Sequence, residues 1–117
     1  MTTVAPVNPR ATVPAVFCED WPDEGTPAGH WHFYVSRDVA DGQEPAGILF
    51  GCPCGCGQMN SVAFRASREG RPSWEWDGNR EKPTLSPSIN ILQLDEAGKR
   101  TGEHWHGWLR DGVFQSC

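Results

Sequence analysis

Three of the chain's five cysteines fall in one short stretch, Cys52-Pro53-Cys54-Gly55-Cys56-Gly57. Thiols this close in sequence form strained rings if they are paired with one another. Held together by Pro and Gly turns, they suit a soft cation better, and zinc is the first candidate. The spacing is not the usual knuckle with two residues between cysteines. Here Cys52 and Cys54, and Cys54 and Cys56, are two apart, so two or all three of these sulfurs are candidate ligands. Cys18, beside Phe17, reads as a small buried hydrophobe.

All four histidines occur in H-x-H pairs, His30-Trp31-His32 and His104-Trp105-His106. On a strand, residues two apart point to the same face, so each pair can converge on one ion. A cupin barrel also uses such pairs but needs a carboxylate four or five residues after the second His. Ser36 and Arg37 do not supply one after His32, Asp111 does after His106, and the glycine pattern of that fold is absent. The closing segment is more specific. Asp111-Gly112 is a two-residue type I′ hairpin signal. Counting back from that turn, Arg110 faces Val113, Leu109 faces Phe114, Trp108 faces Gln115, Gly107 faces Ser116 and His106 faces Cys117. Opposed residues share a face. His104, His106 and Cys117 are therefore expected on one side, with His106 the leading non-cysteine ligand and His104 and Cys117 competing for the next position. His30 and His32 are second choices.

These residues need strands to position them. His30–Ser36, Gly47–Gly51, Asn60–Ala66, Ser73–Trp76, Ile89–Leu94, Glu103–Arg110 and Val113–Cys117 read as short β-strands between Gly, Pro, Asn and Asp turns. Thirteen Gly and ten Pro break up any helical pattern. The expected fold is all-β, a small antiparallel sheet or sandwich with a zinc-ribbon-like cysteine turn. Residues 1–14 read as an extended N-terminal arm, and residues 15–117 as a single zinc-stapled domain. At 117 residues the chain holds one modest core, of the size that often leans on a metal.

Lys and Arg number 10 against 15 Asp and Glu, a formal charge of −5. Nucleic-acid and anionic-membrane binding need clustered positive charge, so both are disfavoured. No apolar run reaches the ~18 residues of a membrane span. The opening Met-Thr-Thr-Val-Ala-Pro, without a basic region or an apolar core, does not read as a secretory signal. A cytoplasmic protein is expected. Six Trp, five Phe and one Tyr exclude disorder throughout. They also exceed what a small core readily buries, which favours a protein partner, with Trp21 in the acidic loop the most exposed candidate.

Four ordered motifs carry a resemblance: Phe50-Gly51-Cys52-Pro53-Cys54-Gly55-Cys56-Gly57; Arg71-Pro72-Ser73-Trp74; Pro83-Thr84-Leu85-Ser86-Pro87-Ser88-Ile89; and Trp105-His106-Gly107-Trp108-Leu109-Arg110-Asp111-Gly112. Across residues 47–114 the chain resembles a family of small uncharacterised bacterial and bacteriophage proteins. The resemblance supports His106 as a ligand and implies no established activity. Some relatives are similar to proteins encoded near ubiquitin-like conjugation genes. Where the family tends to have Cys three residues before the His, this chain has Glu103, so the resemblance implies either that His104 or Cys117 replaces that ligand or that the site is altered.

An enzyme reading requires an open metal position and a base, for which Asp111 or Glu103 would serve. No nucleophile elbow, phosphate loop or H-E-x-x-H is present, and no catalytic residue is assigned. The sequence alone therefore favours a zinc-stabilised phage or prophage-type accessory protein, a protein-binding module of a bacterial host cell. The alternative is a metal-dependent hydrolase.

Overall fold

Short runs of β-branched and aromatic residues alternate with glycine and proline turns, and the computed structural model pairs them into two facing sheets and a small ribbon. Residues 6–20, 25–34, 46–64 and 73–117 are described. Among them there is no helix, so none is long and apolar enough to cross a membrane. The first sheet has the order β1-β10-β9-β8, from Val13–Pro14 (β1), Val113–Ser116 (β10), Arg100–Arg110 (β9) and Ile89–Leu94 (β8). The second has the order β2-β3-β4-β5, from Val16–Phe17 (β2), His30–Tyr34 (β3), Gly47–Gly51 (β4) and Met59–Ala63 (β5). All pairs in these sheets are antiparallel except β2 with β3, which is parallel. Glu75–Trp76 (β6) and Leu85–Ser86 (β7) form the ribbon. The all-β expectation holds, with three short strands added, β1, β2 and β7, and with β9 beginning at Arg100 rather than at Glu103.

The core lies between the sheets. Ile89, Ile91, Trp105, Leu109 and Phe114 on one side meet Trp31, Ile48, Phe50 and Val62 on the other, all buried. Phe50 and Phe114 stack across the interface with ring centroids 5.1 Å apart. Truncating such a ring removes its burial and leaves a void. We expect Phe114→Ala to cost about 3–5 kcal/mol in urea unfolding.

The arm is tied to this core both before and within β1. The Trp105 indole N–H donates to the Ala11 carbonyl over 3.1 Å, and Val13 pairs with Phe114.

The closing hairpin has the expected register: Val113 opposes Arg110, Phe114 Leu109, Gln115 Trp108 and Ser116 Gly107. The Cys117 N–H then donates to the His106 carbonyl over 2.9 Å. Asp111 and Gly112 both have left-handed φ, 48° and 76°, as a type I′ turn requires. Gly107 cannot carry a side chain, because a Cβ there would collide with the Gln115 carbonyl and the Trp105 indole.

The β8–β9 pairing contains the irregularity that shapes the site. Asn90 opposes His106 and Ile91 opposes Trp105, but the next residue of β8, Leu92, opposes Glu103. His104 is the extra residue of a β-bulge, a feature that locally re-aims side chains. A second register shift follows between Gln93 and Leu94.

Candidate metal centre and Ser–His pair

The cysteine turn joins β4 to β5. Gly55 and Gly57 hold left-handed φ values of 88° and 86°, which a residue with a Cβ rarely adopts. They fold the chain back after each of the last two cysteines, so sulfurs that on an extended strand would be strung along one face about 6–7 Å apart are drawn together instead. The Cys52 N–H donates to the Gln58 carbonyl and the Gly55 N–H to the Cys52 carbonyl, closing the turn. Two outside segments buttress it: the Asn8 N–H donates to the Cys54 carbonyl and the Thr26 N–H to the Gly57 carbonyl.

His104 reaches this turn from β9, fifty residues along the chain. Its ring is fully buried. Nε2 lies 3.1 Å from the Cys54 sulfur and 3.4 Å from that of Cys56, and the Cys52 and Cys54 sulfurs are 3.3 Å apart. All four ligand atoms lie within 4.8 Å of one another. Nδ1 is 2.8 Å from the Gln93 Oε1. A carbonyl oxygen can only accept, so Nδ1 carries the proton and Nε2 turns its lone pair to the sulfurs. That is the tautomer and outer hydrogen bond of a metal-ligating imidazole.

The thiols also fit a cation. Burial pushes Cys52 and Cys56 up. Burial acts the same way on Cys54, but hydrogen bonds from the Val7 backbone and the Cys52 and Cys56 thiols outweigh it and bring Cys54 down. Three adjacent thiolates repel one another in a buried site unless a positive ion offsets them. Cys52, Cys54, Cys56 and His104 thus form a group that could hold a metal ion.

His106 and Cys117 are not brought to this group. The hairpin register places them side by side as expected, but their face differs from that of His104. Along β9, Trp105, Gly107 and Leu109 are buried, and the more accessible His106 and Trp108 alternate with them. The bulge adds His104 to the buried set, next to Trp105 and out of step with His106. Simple alternation from sequence misses this. Cys117 is exposed. We expect Cys117→Ser to keep full metal content by elemental analysis.

His106 has other neighbours. Its Nε2 lies 3.1 Å from the Ser88 Oγ. Its Nδ1 lies 3.7 Å from the Glu103 Oε1, and the same oxygen receives the Asn90 side-chain N–H over 3.4 Å. Ser88 ends the cis Ser86-Pro87 turn and immediately precedes β8. The pairing of Asn90 with His106 sets it close to the imidazole. Sequence reasoning missed Ser88, because a serine eighteen residues from its histidine, outside any known elbow, carries no local signature.

The first H-W-H pair stands apart from the four-residue group. His32 Nδ1 lies 3.3 Å from the Cys18 carbonyl, and His30 Nδ1 is buried without a hydrogen bond among the described residues. Cys18 is half-buried rather than a core residue, and its thiol donates to the Asp20 carbonyl. Trp21, Arg71 and Pro72 lie outside the described residues.

No curated protein and no solved structure matches the chain. A family model does, over residues 17–117, and its description is a serine protease of a bacterial ubiquitination-like system, BubE. The match begins well before the motif-bearing stretch, residues 47–114. It also corrects the functional expectation: a family described by an enzymatic activity replaces the phage-type accessory, protein-binding module. Spanning all but the first sixteen residues, the match establishes that the chain belongs to the BubE family.

Proposed function

We propose that the protein is a serine hydrolase that cleaves a polypeptide bond within a bacterial ubiquitination-like system, with Ser88 as nucleophile and His106 as general base. One observation carries this reading, the 3.1 Å approach of the Ser88 Oγ to the His106 Nε2. That is hydrogen-bond distance for a nucleophile and the base that activates it. The family description, a serine protease, supports it.

The chemistry follows from the geometry. The Ser88 hydroxyl donates to the His106 Nε2. As Oγ attacks the scissile carbonyl carbon, its proton passes to that nitrogen. The imidazolium then protonates the leaving amine, and an acyl group remains on Ser88. Water, deprotonated by the same nitrogen, attacks the ester and releases the acid, returning the proton to Ser88. Ser88 and His106 are both partly accessible, so a chain can approach them from solvent.

Zinc is the proposed occupant of the Cys52, Cys54, Cys56 and His104 group. Three sulfurs and one imidazole nitrogen complete a tetrahedral set, which is the closed pattern of structural zinc. Bound there, it would supply fold stability and leave the proton transfers to Ser88 and His106. The test is a peptidase assay with a fluorophosphonate, which phosphonylates activated serines with loss of fluoride. We expect one adduct per chain and loss of turnover in parallel. Turnover that survives full exposure to the reagent would contradict a serine mechanism.

A further inference from the structure

The bulge in β9 serves two sites at once. In a regular strand, residues three apart lie on opposite faces, so Glu103 and His106 would face apart. The extra residue restores Glu103 to the side of His106. The register shows this directly: Asn90 and Leu92 lie on one side of β8, and they oppose His106 and Glu103 respectively. Gln93, on the other side of β8, meets the ring of His104. One backbone irregularity therefore turns His104 inward to the cysteines and brings Glu103 to the outward edge of His106.

We propose that Glu103 is the positioning carboxylate for His106, held in place by Asn90 and by the bulge that the cysteine-bound His104 anchors. The inference rests on the Ser88–His106 reading. Glu103 faces Nδ1, the nitrogen opposite the one that meets Ser88. A carboxylate there favours the tautomer with the proton on Nδ1, leaving Nε2 free to accept from Ser88, and it stabilises the imidazolium formed on proton transfer. At 3.7 Å the contact is electrostatic rather than a hydrogen bond. Apo sites are often loose in this way and tighten around substrate. The Asn90 amide, donating to the same Oε1, restrains the carboxylate from β8.

The test uses the metal-loaded full chain and a fluorophosphonate probe. At saturating probe, Glu103→Gln should lower the first-order rate of serine modification about tenfold, because a half-exposed carboxylate is screened by water and counts for less than a buried one. The probe concentration for half-maximal rate and the metal content should not change. Glu103→Asp should recover part of the rate, since it restores the charge. If wild type reacts and Glu103→Gln reacts at the same rate, this proposal is overturned while the Ser88–His106 reading stands. Loss of metal from Glu103→Gln would also overturn it, by showing that the residue acts through the bulge and not on His106. If wild type does not react at all, the Ser88–His106 reading falls, and this inference with it.

Discussion

Ser88→Ala leaves a folded, metal-loaded protein whose peptidase turnover falls to background, a loss on the order of 10³–10⁶ in kcat. The range is wide because the residual rate depends on how much the rest of the site still binds and polarises the substrate. His106→Ala produces a loss of similar size, and the double variant is no worse than either single one. Nucleophile and base act as one unit, so their effects do not add. Neither substitution touches the core: Ser88 is partly accessible and His106 packs on the outer side of β9. Circular dichroism and elemental analysis of both variants should match wild type. If Ser88→Ala keeps its turnover, the chemistry lies elsewhere.

Metal removal has the other large effect, and it acts on the fold. The cysteine turn and His104 are fifty residues apart, and a crosslink across a long loop removes much unfolded-state entropy. Structural zinc in small domains contributes on the order of 10 kcal/mol, comparable with the whole stability of a domain this size. Chelation should therefore abolish the cooperative thermal transition. His104→Ala leaves three sulfurs with no fourth ligand and should lose metal sharply. His106→Ala should retain it, which separates the two histidines by a readout independent of catalysis. A melting temperature unchanged by chelation would make the site peripheral.

That ranking inverts what the sequence favours, and the reason is local. The Asp111-Gly112 turn fixed the hairpin register residue by residue, because a two-residue type I′ loop permits only one pairing. The strand entering the cysteine turn is legible because an apolar run, Ile48-Leu49-Phe50, is bounded by Gly47 and Gly51. Alternation puts His104 on the face of His106, and alternation is the rule that a bulge suspends. Nothing in Glu103-His104-Trp105-His106 marks which residue is the extra one. It emerges only when β8 is laid beside β9 and both Ile91 and Gln93 must find inward partners. Ser88 was hidden differently. Its segment stands out in sequence, but only tertiary pairing brings a serine before β8 to a histidine in the middle of β9.

Ser88 and His106, as a working nucleophile and base, can be tested on the protein directly. The most direct measurement is the site of fluorophosphonate modification in the metal-loaded protein, read by intact mass and then by peptide mapping. The account predicts a single adduct on Ser88, absent after Ser88→Ala and strongly slowed after His106→Ala. An adduct on another residue, or none on a protein that is folded and holds its metal, would contradict it.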